Sequence, residues 1–269
     1  MQPSRLSTVA EQPAVLVERR GAVAVITLNR PGSMNAVNAA LSQALGAALA
    51  ELADDPGLRV GIITGAGRAF CAGADLKELA AGRSVYDEGH LDRGFAGMVR
   101  HFVDKPLIAA VNGFALGGGT EIVLACDMAV MAEDASLGLP EVKRGLVAAA
   151  GGLLRLHRQI PPKIAAEVVF TGDPLDAAAA LRWGLVNRVV PADEVVATAL
   201  ALAQKIAANA PLALRASKRI TAQSARGSDW DPTVWEVNLA EAAAIRTSRD
   251  AREGATAFAE KRAPDWIGA

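Results

Sequence analysis

The chain has 269 residues, of which 51% are hydrophobic and 21% charged, and its formal net charge is −1. This length and apolar content can supply the core of one large domain, or of a domain with an appendage, whereas the near-neutral charge excludes the basic footprint of a nucleic-acid-binding protein. Residues 1–10 lack the apolar segment of a signal peptide, and no later apolar run is long enough to span a membrane, so the sequence predicts a cytoplasmic protein with no membrane partner.

The N-terminal part alternates between strand-like and helix-like segments. Two β-branched runs, Ala14–Glu18 and Ala22–Leu28, predict a hairpin. The alanine- and leucine-rich segment Asn38–Ala53 predicts a helix, because its apolar residues recur at helical spacing. Arg59–Thr64 then predicts a buried strand, and Gly65–Gly73 a glycine-rich loop.

The same alternation continues through the middle of the chain. Leu91–Val103 predicts a helix that Pro106 would end, and Leu107–Val111 predicts the next strand. A run of three glycines opens a predicted helix that extends to Ala125, and Met128–Met131 predicts another short strand. Repeated strand–helix–strand segments favour an α/β architecture with crossover helices.

Beyond Val190 the pattern changes to helices alone. The predicted helices cover approximately Ala192–Ala208, Pro211–Ser224, Thr233–Ile245 and Asp250–Glu260. We therefore expect an α/β core over residues 1–195 and a C-terminal helical region over residues 196–269.

Two acidic residues stand in otherwise apolar or glycine-rich surroundings, Glu121 after the glycines at 117–119 and Glu141 after Leu139-Pro140. A poorly hydrated carboxyl group has a raised pKa, which suits it to proton transfer near neutrality. Glycines at a helix start leave backbone N–H groups available to an anion. Each acid also has a structural alternative, because Glu121 could complement the first turn of its helix and Glu141 could pair with Lys143 or Arg144.

Other catalytic chemistries lack sequence support. Cys71 and Cys126 are too far apart for a CxxC pair, which indicates reduced thiols. The histidines have no metal-ligand spacing. The glycine run continues as Thr-Glu, whereas a phosphate-binding P-loop requires lysine followed by serine or threonine.

Several spaced segments, in one order, resemble the enoyl-CoA hydratase (crotonase) family. The strongest are Arg68–Glu78, Lys105–Asp127 and Leu139–Gly145, and the resemblance extends into the tail at Ser248–Gly254 and Ala257–Pro264. The resemblance implies a crotonase-like spiral of repeated β-β-α units, followed by a helical region that forms homotrimers or dimers of trimers.

The resemblance also implies the roles of individual residues. The backbone N–H groups of Ala74 and Gly118 match the oxyanion hole that holds the thioester oxygen of an acyl-CoA. Glu121 and Glu141 match the acids with which hydratases of this family add water to a 2-enoyl-CoA, Glu121 activating the water and Glu141 supplying a proton to C2.

Coenzyme A would accordingly enter as part of the substrate, with no resident cofactor and no metal. The resemblance places Ala72, Asp75 and Leu76 along the path of the ligand. It places Phe258 and Lys261 near the adenine end, with a neighbouring subunit as one source of these residues. For Lys261 a solvated helix charge is an equal alternative.

One departure from the family pattern affects the predicted site. Many hydratases carry proline followed by glycine or aspartate before a Gly-Gly pair, whereas this chain has Val147-Ala-Ala-Ala-Gly-Gly152. Alternatives to a 2-enoyl-CoA hydratase are an enoyl-CoA isomerase, a dehydratase of another hydroxyacyl-CoA, or an acyl-CoA-binding protein without turnover. The binding-only alternative predicts a missing acid, and both acids are present.

Overall fold

The computed structural model describes residues 12–225, 227–228 and 230–269, so the predicted absence of a signal peptide at residues 1–10 lies outside the described residues. The strands are β1 Val15–Arg20, β2 Val23–Leu28, β3 Val60–Gly65, β4 Ala69–Cys71, β5 Leu107–Val111, β6 Phe114–Leu116, β7 Met128–Ala132, β8 Ser136–Gly138, β9 Leu175–Asp176 and β10 Arg188–Val190. The helices are α1 Ala39–Asp54, α2 Leu76–Ala80, α3 Gly118–Ala125, α4 Gly152–Gln159, α5 Pro162–Thr171, α6 Ala177–Arg182, α7 Val195–Ala207, α8 Pro211–Ser224, α9 Pro232–Arg246 and α10 Arg249–Glu260.

These strands form two sheets, through which the chain passes repeatedly in the same direction. The larger sheet has the order β1-β2-β3-β5-β7-β10 and the smaller the order β4-β6-β8-β9. Each of the pairs β3–β4, β5–β6 and β7–β8 therefore takes one strand from each sheet and is followed by helical structure. This arrangement is the predicted spiral of β-β-α units, and the α/β fold class is confirmed.

The hydrophobic core explains why the central strands carry almost no polar side chains. β5 is buried along its whole length, and β3 is buried through Thr64. Both strands lie in the middle of the larger sheet, which α7 covers on one side. Continuous apolar runs are typical of strands that pack on both faces.

Most elements that the sequence predicts are confirmed, but the helix over Leu91–Val103 is wrong. That segment contains short 3₁₀ turns at Leu91–Arg93 and Phe95–Gly97 and then irregular chain. Gly94, Ala96 and Gly97 have φ values of +72°, +57° and +64°, which a right-handed α-helix cannot contain. The apolar spacing does correctly indicate which residues face the core, since Phe95, Met98 and Val99 are buried.

The predicted loop Gly65–Gly73 is also partly wrong, because it contains β4. This strand of three residues pairs with β6 in the smaller sheet. Strands this short carry too few residues for a period of two to be recognised. β6, β8 and β9 are likewise too short to be predicted from local sequence.

The predicted C-terminal helices are confirmed as α7, α8, α9 and α10. Asp104 joins α8 to the core, with Oδ2 at 2.9 Å from Arg215 Nε and 2.6 Å from Arg219 Nη1. The division into residues 1–195 and 196–269 stays a prediction. Within the described residues no single helix has the length and apolar composition to span a membrane, and one pair, Ala192–Ala207 with Pro211–Ser224, meets those criteria only jointly and is bent by 105°.

Replacing Gly119 with alanine tests the contact between α3 and β4. An added Cβ would lie 2.1 Å from the carbonyl oxygen of Cys71, so the backbones would have to separate. We expect Gly119→Ala to lower the free energy of unfolding by about 1–3 kcal/mol, measured by urea denaturation. Gly32→Ala is the matched control, because its added Cβ meets nothing within 4 Å; equal effects in the two variants would contradict the packing argument.

Candidate active site

The first backbone donor of the candidate site is the N–H of Ala74, in the loop after β4. Val37 forms an isolated parallel bridge with Ala74: its N–H donates to Gly73 O at 2.8 Å, and its carbonyl accepts from Asp75 N at 2.9 Å. In a parallel bridge these bonds come from the flanking residues, so the N–H of Ala74 itself is directed away from Val37. The bridge therefore fixes this loop, and Ala74 N donates no backbone hydrogen bond to any residue that the structure describes.

The second donor is the N–H of Gly118, the first residue of α3. N–H groups in the first turn have no partner within their helix, and the helix dipole adds positive potential there. Gly117 precedes it with φ +56° and ψ −124°, a conformation that glycine alone adopts readily. Gly117 N donates to Gly138 O at 2.8 Å, which fixes the turn against β8.

The two loops come together at Gly73. A Cβ on this residue would lie 3.1 Å from Gly118 N and 2.8 Å from Leu116 O. Gly73 also has φ +91°, which strains any residue with a side chain. The predicted donors Ala74 and Gly118 are therefore on neighbouring backbone segments, as an oxyanion hole requires.

Glu121 lies one turn into α3, with only 3% of its surface exposed. Its Oε1 accepts a hydrogen bond from Gly152 N at 2.8 Å. Burial raises the pKa of this carboxyl to about 7, against the lowering effect of the hydrogen bonds from Gly152 and Ala150, and the charge of Glu141 raises it further. At neutral pH Glu121 therefore exchanges readily between its ionised and protonated forms.

Glu141 lies on a 3₁₀ helix, Pro140–Arg144, that follows β8. Its Oε2 is buried without a hydrogen-bond partner among the described residues. Its Oε1 approaches the turn before α3, since a Cβ on Gly117 would lie 2.9 Å from it. Burial raises the pKa of this carboxyl, which favours the protonated form. The structure thus brings Glu141 to the same turn that carries the Gly118 donor.

The contacts of Glu121 and Glu141 bear on the structural roles that the sequence left open for them. Glu121 does lie in the first turn of α3, but its carboxyl binds the backbone of the segment before α4 rather than its own helix end. No ion pair joins Glu141 to Lys143 or Arg144 among the described residues, and Lys143 Nζ instead lies 2.5 Å from Asp173 Oδ1. The two carboxyl groups instead lie near enough for the charge of Glu141 to raise the pKa of Glu121.

Sequence reasoning missed the groups that hold this arrangement in place. Gly152 and Ala150 donate backbone hydrogen bonds to Glu121. Arg155 Nη2 donates to Val99 O at 2.6 Å, which connects α4 to the irregular segment 91–103. The ring of Phe95 packs against Gly118, where an added Cβ would lie 2.4 Å from Phe95 Cε1. The Gly151-Gly152 pair was the available signal for the first contact, whereas nothing local indicated Arg155.

The residues predicted along the ligand path divide into two groups. Ala72 is half-buried and Leu76 is 49% exposed, so both border the loop of the first donor. Asp75 is buried and serves the fold: its carboxylate lies 3.0 Å from Arg30 Nη1 and accepts from Lys77 N at 3.2 Å to cap α2. Its predicted contact with the ligand stays a prediction.

Phe258 and Lys261 are at the end of α10, which packs against α9. The Phe258 side chain is 88% exposed, and Lys261 ends the helix with φ +55°. Neither side chain forms a hydrogen bond or ion pair among the described residues. The structure does not bring them to the two acids, so their role at an adenine group stays a prediction.

A cavity of about 410 Å³ lies next to Gly118 and Glu121, because Phe95, which packs on Gly118, and Ala150, whose backbone interacts with Glu121, line it; neither acid and neither predicted donor lines it. A larger groove of about 800 Å³ lies between the end of α3 and α8 and is lined by neither acid and neither predicted donor. Among the described residues no group of His, Cys, Asp and Glu could hold a metal ion. The arrangement can therefore bind a developing oxyanion and move protons on carbons next to it.

Comparisons with known proteins agree with this geometry. The sequence profile of the family described as Enoyl-CoA hydratase/isomerase matches residues 18–269. A carnitinyl-CoA dehydratase from Salmonella typhi is 46% identical over 258 residues, covering 93% of this chain and 97% of the relative, and one from Proteus mirabilis is 45% identical over 253 residues, covering 93% and 96%.

Solved structures are similar over almost the whole chain. An enoyl-CoA hydratase from Mycobacterium tuberculosis H37Rv has a TM-score of 0.90 at 48% identity, covering 96% of this chain and 100% of the other. A carnitinyl-CoA dehydratase from Mycobacterium avium 104 has a TM-score of 0.78 at 52% identity, with the same coverage.

The raised pKa of Glu121 predicts a pH-dependent gain in stability for Glu121→Gln. A shift from 4.5 in the unfolded chain to about 7 in the folded one disfavours the ionised form by about 3 kcal/mol. Protonated Glu121 carries no such penalty, so the wild type loses stability as the pH rises from about 4.5 to about 7, and the full penalty applies above that range. We expect the variant to gain about 2–3 kcal/mol over the wild type at pH 8 and little at acidic pH, measured by urea denaturation.

The control for this experiment is Glu167→Gln, since Glu167 is exposed on α5. Its stability relative to the wild type should not change with pH. A Glu121→Gln variant that is less stable than the wild type at pH 8 would contradict the desolvation argument.

Proposed function

The chain belongs to the enoyl-CoA hydratase/isomerase family and is a hydro-lyase of CoA thioesters, and we propose that Glu121, Glu141 and the N–H groups of Ala74 and Gly118 carry out its reaction. The reaction is the reversible addition of water across the C2–C3 double bond of a 2-enoyl-CoA, giving a 3-hydroxyacyl-CoA. The observation that carries this proposal is that the turn Gly117–Gly118 lies beside both the loop of Ala74 and the Glu141 carboxyl, and leads into the helix that carries the buried Glu121.

In the hydration direction, ionised Glu121 accepts a proton from water as the water oxygen bonds to C3. The electron pair of the C2–C3 double bond moves toward the thioester, where the N–H groups of Ala74 and Gly118 stabilise the enolate oxygen. Protonated Glu141 then gives its proton to C2, and the carbonyl re-forms. Elimination of water follows the same steps in reverse, with the two acids exchanging roles.

The dehydratase direction uses the same groups, and the relatives named carnitinyl-CoA dehydratases favour it as a second assignment. An acyl-CoA-binding protein without turnover would not need two desolvated acids beside the donors. An isomerase would move a proton between carbons without adding water, so it would not form a 3-hydroxyacyl product from a 2-enoyl-CoA.

Several further assignments belong to this proposal. Coenzyme A enters with the substrate, and no resident cofactor is needed. Ala72, Asp75 and Leu76 lie along the path of the ligand, and Phe258 and Lys261 lie near its adenine end. The protein acts in the cytoplasm, in fatty acid metabolism, as a homotrimer or dimer of trimers built by the helical region. The exposed apolar side chains on α9, Trp235 and Leu239, support such an interface.

Glu141→Gln tests the proton donor directly. The amide keeps the shape of the side chain but cannot protonate C2, so kcat for hydration of crotonyl-CoA should fall by about 10²–10⁴. Binding of a saturated acyl-CoA, measured by calorimetry, should change little, because the donors at Ala74 and Gly118 remain. Glu167→Gln is the matched control, and full turnover by Glu141→Gln would overturn the assignment.

The pH dependence of hydration tests the role of Glu121. Hydration requires this carboxyl ionised, and its pKa of about 7 predicts that kcat/KM falls tenfold for each pH unit below about 7. Because the phosphates of CoA can titrate too, crotonyl-pantetheine serves as the control substrate. A flat profile between pH 5 and pH 8 would contradict a base with this pKa.

A further inference from the structure

The cavity beside the site is lined partly by apolar and partly by cationic side chains. The inference drawn from it rests on the proposed function, because it concerns the acyl group of the same substrate. Phe95 packs on Gly118, and Ala150 donates to Glu121, so the two faces that flank the reacting carbons continue into the cavity. An acyl chain held at the thioester by Ala74 and Gly118 would therefore extend into this space.

The apolar part of the lining can hold a short hydrocarbon stem. Leu91, Val99 and Leu154 contribute aliphatic surface. The rings of Tyr86 and Phe95 meet edge to face, with centroids 6.4 Å apart and planes at 83°. The volume of about 410 Å³ limits the acyl group to a modest size.

The charged part of the lining is entirely cationic. Arg100 and Arg155 both border the cavity, and no aspartate or glutamate within the described part of the chain does. Arg155 spends two of its N–H groups on Val99 O and Ala150 O, at 2.6 and 3.4 Å. Arg100 has no carboxylate partner among the described residues, and its aliphatic stem packs near Gly94, whose added Cβ would lie 3.0 Å from Arg100 Cδ and Cγ. An unpaired guanidinium presents its donors to an anionic group in the planar geometry that a carboxylate matches.

We propose that this cavity selects 2-enoyl groups whose far end is a carboxylate over groups of equal length that end in a trimethylammonium. A quaternary ammonium has no proton to donate and would lie beside two permanent positive charges. A carboxylate in the same place accepts hydrogen bonds from them. The acyl group of the preferred substrate therefore differs from the carnitinyl group that appears in the names of two relatives, because a carnitinyl group bears a trimethylammonium on C4.

The two catalytic acids do not reverse this charge balance. Neither Glu121 nor Glu141 lines the cavity. Burial favours the neutral form of Glu141, whereas ionised Glu121 attracts Arg155 and so offsets part of that one charge. Arg100 and Arg155, by contrast, keep their charge throughout the physiological range.

The test compares three 2-enoyl-CoA substrates of equal backbone length, ending in a methyl group, a carboxylate or a trimethylammonium. We expect kcat/KM for the carboxylate-ended substrate to exceed that for the ammonium-ended one by about tenfold or more. In Arg100→Glu this ratio should fall by a similar factor, because the variant replaces an attractive charge with a repulsive one. Arg182→Glu is the matched control, since Arg182 is exposed on α6 and does not line the cavity.

A second measurement separates this inference from the proposed function. Calorimetric binding of the corresponding saturated acyl-CoA thioesters reports the cavity without turnover, and it should give the same order of affinity. Failure of the wild type to hydrate crotonyl-CoA would overturn the proposed function while leaving this ranking measurable. Equal or tighter binding of the trimethylammonium thioester, or a ratio that Arg100→Glu leaves unchanged, would overturn the cavity assignment.

Discussion

The close approach of two backbone segments is the constraint on which the rest of the site depends. At Gly119 the helix α3 lies so near β4 that a Cβ would be 2.1 Å from Cys71 O, and at Gly73 in the following loop a Cβ would be 3.1 Å from Gly118 N. Backbone N–H groups can converge on one oxygen only if no side chain separates their segments. The glycines therefore determine the distance between the two N–H donors independently of the acids.

The desolvation that makes the acids useful comes from the same close packing. Glu121 is buried because α3 and the segment before α4 enclose it. Its carboxyl group still has hydrogen-bond partners, because Gly152 and Ala150 donate to it. Arg155 continues this chain of contacts to Val99 O. Burial that raises a carboxyl pKa also reduces stability whenever the group ionises. This site thus combines a stability penalty with the capacity for proton transfer.

Local sequence patterns predicted the elements that are long and regular. Periodic apolar patterns extend over several helical turns or strand repeats in the hairpin β1–β2, helix α1 and the C-terminal helices. These elements could therefore be predicted without knowledge of tertiary contacts. Leu91–Val103 failed because its apolar spacing imitates a helix, while Gly94 and Gly97 allow positive φ values that end it. The short strands β4, β6 and β8 depend on pairing with distant partners, which no local window contains.

The sequence by itself determined the family resemblance, the α/β class, the identity of both acids and the two glycine segments, because each rests on residue types at fixed spacing. Only the tertiary structure decided that Glu141 turns toward Gly117, that Gly152 binds Glu121, and that Arg100 and Arg155 border one cavity. Those contacts join residues far apart in the chain. Their geometry follows from how the two sheets stack and how α4 closes over α3, and spacing along the sequence does not encode it.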